Sequence, residues 1–103
     1  MESLNKEQIL QELTARGSEL SAFGVVQIGL FGSFVRDEGS SESDIDLLVD
    51  IKKEFKTFRN FLVLNYSLED IFKRKVELIT KQSLSPYIGP HILKTVQYAS
   101  IAS

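Results

Sequence analysis

Asp44 and Asp46 are the residues best suited to chemistry in this chain, two carboxylates at positions i and i+2. On an extended strand that spacing points both to one side. There they could share hard divalent cations, and without a cation their mutual repulsion would push one pKa up. Magnesium takes oxygen ligands and often joins one or two carboxylates to a substrate's phosphates. Two such ions, roughly 3.5–4 Å apart, would clamp the attacking and leaving oxygens of a phosphoryl displacement. Glu77 is the candidate third carboxylate, because it interrupts the apolar run of Val76, Leu78 and Ile79, where a charge needs a reason. Gly32-Ser33 offers the complementary group. A glycine lets backbone approach a phosphate closely, and the free N–H groups of the following turn point at the anion. The Ser33 hydroxyl adds a donor and Arg36 a charge-assisted one.

Taken singly, each of these residues has a plainer reading. Asp44 and Asp46 could be solvated side chains of an edge strand, Ser33 a helix N-cap, and Glu77 a surface residue paired with a lysine. Arg36 reads alone as a solvated cation. Asp50 shares the strand parity of the two aspartates but lies at the far end, as a cap or surface charge. Lys73-Arg74-Lys75 reads as a solvated charge run. His91 has no companions for a metal role, and Tyr66, Tyr87 and Tyr98 read as packed rings with hydroxyls at the surface.

The elements that must position these groups follow from periodicity. Asn5 with Gln8 makes a capping box and opens a helix with Ile9, Leu10 and Leu13 on one side, weakened at Gly17. Residues 25–31 are short, apolar and β-branched and stop at Gly32-Ser33, a buried strand entering a tight turn. Phe34-Val35-Arg36 reads as a brief helical turn, followed by a polar loop over residues 37–43. Residues 44–51 form a second strand, with Ile45, Leu47, Val49 and Ile51 on one face and the aspartates on the other. Residues 55–72 carry Phe58, Phe61, Leu62, Leu68 and Phe72 at helical spacing, without Gly or Pro. A third strand spans residues 75–80. A last helix starts after Pro90 and buries Ile92, Leu93 and Val96. This order predicts an α/β (α+β) fold with a small mixed sheet flanked by helices.

Composition narrows the classes. The 103 residues, 43% hydrophobic and 25% charged, make one folded domain over residues 1–103. The net charge of −2 gives no field for gripping a nucleic-acid backbone, so direct nucleic-acid binding is not expected. The absence of cysteine excludes disulfides and thiolate metal sites. Residues 1–6 have no apolar run fit for a signal peptide, and no stretch approaches a membrane span, so the expected compartment is the cytoplasm.

The run Leu30-Phe31-Gly32-Ser33-Phe34-Val35-Arg36, with ten residues between Ser33 and the Asp44-Ile45-Asp46 triplet, resembles the Gly-Ser…Asp-x-Asp signature of the DNA polymerase β-like nucleotidyltransferases. Within them the minimal nucleotidyltransferase group is most similar, and the likeness runs from the leading helix to a helix over residues 92–99. The strand holding Glu77 falls where that family places its third carboxylate. The resemblance implies ATP as substrate, Mg2+ as cofactor, and transfer of a nucleoside monophosphate to a hydroxyl. Gly32 and Ser33, with Arg36, would bind the triphosphate; Asp44 and Asp46 would ligate metal; Glu77 would be the third metal carboxylate or the general base. One departure stands out: minimal members usually carry aspartate at the third position, and the extra methylene of Glu77 moves its carboxylate by over an ångström.

Stand-alone members of the group resembled are partners of HEPN-domain RNase toxins. The resemblance therefore implies an antitoxin that transfers AMP to a tyrosine hydroxyl of such a toxin, working as a hetero- or homo-oligomer. Two other functions compete: a weak or inactive member that neutralises its partner by covering it, and a small-molecule nucleotidyltransferase. The small-molecule enzymes usually add a helical domain to hold the acceptor, which this chain lacks.

Overall fold

The computed structural model describes residues 4–40 and 42–101. Met1, Glu2 and Ser3 of the segment read as lacking a leader, and Ser41 of the polar loop, lie outside the described residues. The first helix, α1 (Lys6–Ala15), is capped as expected: Asn5 Oδ1 accepts from the Gln8 N–H at 2.9 Å, and Gln8 Oε1 accepts from the Asn5 N–H at 3.0 Å. The weakness expected at Gly17 is a break rather than an end. A second helix, α2 (Gly17–Ala22), starts there and brings Leu20 into the core.

Strand β1 (Val25–Phe31) runs antiparallel to β2 (Ile45–Ile51), which pairs in parallel with β3 (Val76–Thr80). A parallel pair needs a long crossover. It is provided by a 3₁₀ turn at Lys53–Phe55 and by α3 (Phe58–Phe72). The helix therefore begins later than the apolar spacing suggested. Thr57 is extended, and its hydroxyl accepts from the Asn60 N–H at 3.1 Å, a cap that fixes the start. Phe58, expected on the buried stripe, is 77% exposed; Leu64 and Leu68 are the buried residues.

The chain ends differently from the sequence expectation. Helix α4 (Gly89–Thr95) is short and stops at Val96, and Gln97–Tyr98 then forms β4, antiparallel to β1. A strand edge left open by β1 draws this segment out of helix, because each unpaired backbone N–H and C=O there gains a partner. Leu93, expected to be buried, is 45% exposed, while Ile92 is buried. The four-stranded sheet has the order β3-β2-β1-β4, a mixed sheet with helices as expected.

The sheet's two faces are unequal. On one, Ile28, Leu30, Ile45, Leu47 and Val49 pack against Ile9, Leu13, Leu20, Leu64 and Leu68 in the main core. Full burial of each such side chain is worth about 2 kcal/mol. On the other, Phe31, Leu48 and Ile92 form a small cluster with Ile79, Leu84 and Val96. The aspartates lie on this second face. No helix among the described residues is long and apolar enough to cross a membrane.

Candidate active site

Register brings the acidic residues together. Across the sheet Phe31 pairs with Asp46, and Asp46 pairs with Glu77. The end of β1, the start of β2 and the start of β3 therefore meet in one row, with Asp44 two residues before Asp46. Parity makes Asp46 and Leu48 neighbours on the less covered face, because Ile45 and Leu47 are held in the main core.

The Gly32 turn lies against this row. Gly32 adopts φ +80°, a left-handed conformation that glycine adopts without strain. A Cβ there would overlap the Asp46 carboxylate, so the missing side chain is what lets turn and carboxylate touch. The expected helical turn at Phe34-Val35-Arg36 is a hydrogen-bonded turn: the Val35 N–H donates to Gly32 O at 3.2 Å and the Glu38 N–H to Ser33 O at 2.8 Å. Ser33 and Asp44 are half-buried, Glu77 is exposed. Arg36 is exposed and ion-paired with Glu38 at 2.7 Å, yet close enough to favour the ionised form of Asp46.

Electrostatics ties the group together. The Asp46 carboxyl is pushed from 3.8 up to about 6, first by burial, then by its hydrogen bond with Glu77, and further by the charges of Glu77 and Asp44. Among the described residues no three acidic, histidine or cysteine side chains are gathered into a finished metal cage. The close pair is Asp46 with Glu77, and Asp44 stands within electrostatic reach of it. Asp50 does lie away from this group, accepting from Gln82 Nε2 at 3.3 Å, and His91 is exposed.

Arg74 is the structural residue that sequence reasoning missed. Read as part of a solvated charge run, it is half-buried instead. Its Nη1 donates to the carbonyls of Ser40 at 2.7 Å and Ser43 at 3.1 Å, and its guanidinium lies 5.3 Å from the Phe34 ring centroid. One side chain thereby ties the turn after Gly32-Ser33 to the loop that delivers Asp44, three residues before Glu77. Glu69 holds the start of β3 from the other end, its Oε2 accepting from the Val76 N–H at 3.0 Å. The one cue in the sequence was a cation placed between a helix and a strand, which does not say that it points inward.

A mixed sheet with a glycine turn set against strand carboxylates suits phosphate handling, and comparison with known families gives the class. The chain belongs to the nucleotidyltransferase domain family, which matches residues 6–101. It is 40% identical over 99 residues to the protein adenylyltransferase MntA of Thermococcus cleftensis, covering 95% of this chain and 99% of that protein. A solved structure described as a minimal nucleotidyltransferase superposes with a TM-score of 0.74 at 26% identity, over 94% of this chain and 98% of the other. A toxin–antitoxin structure with AMP-PNP shares the fold, with a TM-score of 0.69 at 20% identity over 97% of this chain and 76% of that one.

Proposed function

We propose that this chain is a magnesium-dependent protein adenylyltransferase that moves AMP from ATP to a tyrosine hydroxyl of a HEPN-type RNase toxin, and so acts as its antitoxin. The observation that carries this reading is the row Phe31, Asp46, Glu77 lying against the Gly32 turn. The relative named as a protein adenylyltransferase supports the acceptor class.

The donor set fits a hard divalent cation. All three candidate ligands are carboxylates, and the Asp46 carboxyl, raised by burial and then by Glu77 and Asp44, stands beside negative charges that a cation would offset. Asp44, Asp46 and Glu77 would hold it, with the substrate's phosphates completing the shell. A cation bound there neutralises the triphosphate and polarises the phosphoryl under attack. The remaining work falls to the chain itself. The N–H groups after Gly32 and the Ser33 hydroxyl hold and orient the phosphates, and Arg36 adds charge at the rim. Glu77, exposed at the start of β3, takes the phenol proton as the tyrosine oxygen bonds to the α-phosphorus. The bond from that phosphorus to the β-phosphate's bridging oxygen breaks, and pyrophosphate leaves.

Incubating the protein with ATP, Mg2+ and its cognate HEPN-type RNase toxin should raise the toxin's mass by whole AMP units. Asp46→Asn should abolish the gain. No mass gain with the wild type, or a gain that persists in the variant, refutes the proposal. Glu77, a methylene longer than the aspartate usual at that position in the family, favours one second reading, neutralisation by binding alone. In that case Asp46→Asn would still protect cells from the toxin.

A further inference from the structure

At the opposite end of β2 and β3 from the carboxylates lies a groove of about 410 Å³. Its walls include Ile51, Phe55, Phe58, Phe61, Leu78 and Ile79. Asp46 and Ile51 are five residues apart on one strand, roughly 17 Å of β2, while on β3 the lining includes Leu78, which follows Glu77 and faces the other side of the sheet. Two of the aromatic rings stand in solvent: Phe58 is 77% exposed and Phe55 37%. The late start of α3 leaves them there, since Thr57 caps the helix and turns Phe58 out of the core stripe.

The segment that borders the groove has the opposite character from the rest of the chain, and its Lys56 lines the groove. Between positions 52 and 59 stand Lys52, Lys53, Lys56 and Arg59 against the single acid Glu54, in a chain whose net charge is −2. All four cations are exposed, and none makes an ion pair among the described residues. Lys56 in the lining and the exposed cations that neighbour it on residues 52–59, beside an apolar floor, complement a ligand that is apolar where it meets the floor and acidic where it meets this segment.

We propose that this groove docks an acidic segment of a partner protein, one that seats bulky apolar side chains on the floor and sets Asp or Glu against Lys56 and the cations of residues 52–59. A polyanion is the poorer fit. The floor is concave and partly aliphatic, whereas single-stranded nucleic acid uses open aromatic platforms in an extended basic track. Outside this segment the chain is net negative and repels a phosphate backbone. Docking here leaves the Gly32 turn and the carboxylates open, so a partner held at this end could still present a hydroxyl at the other. The inference does not depend on the nature of the reaction.

The test is to pan a library of random short displayed peptides against the full-length protein. Selected peptides should combine Asp or Glu with Phe, Leu or Trp, weaken as salt rises, and lose at least about 10-fold in affinity for the doubly substituted Lys56→Glu, Phe58→Asp protein. Both positions are exposed, so the fold should tolerate the changes. On the unsubstituted protein, the selected peptide should shift the backbone amide signals of Ile51, Phe61 and Leu78. Selection without acidic bias, undiminished binding to the substituted protein, or shifts confined to other regions would overturn the proposal. So would tighter binding of a uridine oligonucleotide at the same amides.

Discussion

On one side of β2, Ile45, Leu47 and Val49 are fully buried beneath the helices; on the other, Asp46 and Asp50 flank a single buried residue, Leu48. The same seven residues thus serve two environments, separated only by the alternation of a strand. The covered face stabilises the chain by burying aliphatic surface. On the other face burial, and after it the neighbouring Glu77 and Asp44, push the Asp46 carboxyl up to about 6, which weakens the fold at neutral pH. The proposed site thus lies where stability is given up, and the two should be separable by mutation.

The largest separation is expected from Asp46→Asn. AMP transfer should fall by about 1,000-fold, the scale seen when a charge-stabilising group is removed. Stability should move the other way. A carboxyl whose folded pKa is raised from 3.8 to about 6 contributes stability fully below 3.8, and that contribution is lost as pH rises through about 6. In EDTA the wild type should therefore lose melting temperature between pH 5 and pH 7.5, and Asp46→Asn should lose less. Equal losses in the two proteins would break the contrast.

Leu47→Ala probes the covered face. It should cost about 3 kcal/mol in urea unfolding, because a fully buried side chain is replaced by a cavity. Transfer per folded molecule should stay within about 3-fold of wild type, since the site keeps its geometry. A larger drop would mean the two faces are coupled.

Gly32→Ala acts at the boundary between them. The new Cβ would meet the Asp46 carboxylate at a backbone conformation alanine resists, so transfer should drop by about 100-fold. Its stability cost should be smaller, about 1 kcal/mol, on the scale of a non-glycine residue forced left-handed. Single-turnover rates and melting curves on one preparation would check both.

Among the changes around the site the smallest effect is expected from Arg74→Ala, about 10-fold in kcat/KM, because Arg74 positions the loop before Asp44 without reaching the row itself. Arg74→Lys should recover only part, since a point charge cannot reproduce both carbonyl contacts and the stacking on Phe34.

Much of the sheet was legible because its signals are local. Alternation set the faces of β2, and the Asn5–Gln8 pair marked the start of α1. Asp46 and Glu77 could be named because a charge in an apolar strand stands out, but their pairing needs the register of a parallel pair thirty residues apart, which no local pattern carries. Phe58 misled because helical spacing places a ring on the apolar stripe without knowing that Thr57 caps the helix. Residues 97–98 read as helix because the open edge of β1 lies far away in sequence. Arg74 was hidden for the same reason: its acceptors are carbonyls of a loop more than thirty residues upstream.

The measurement that reaches the centre of the account is Mn2+ binding by electron paramagnetic resonance, with Mn2+ in place of Mg2+ and a non-hydrolysable ATP analogue present. The wild type should hold Mn2+ together with the nucleotide, and a protein carrying both Asp44→Asn and Asp46→Asn should leave the ion free in solution. Equal retention of Mn2+ by the two proteins would contradict the assignment of these carboxylates.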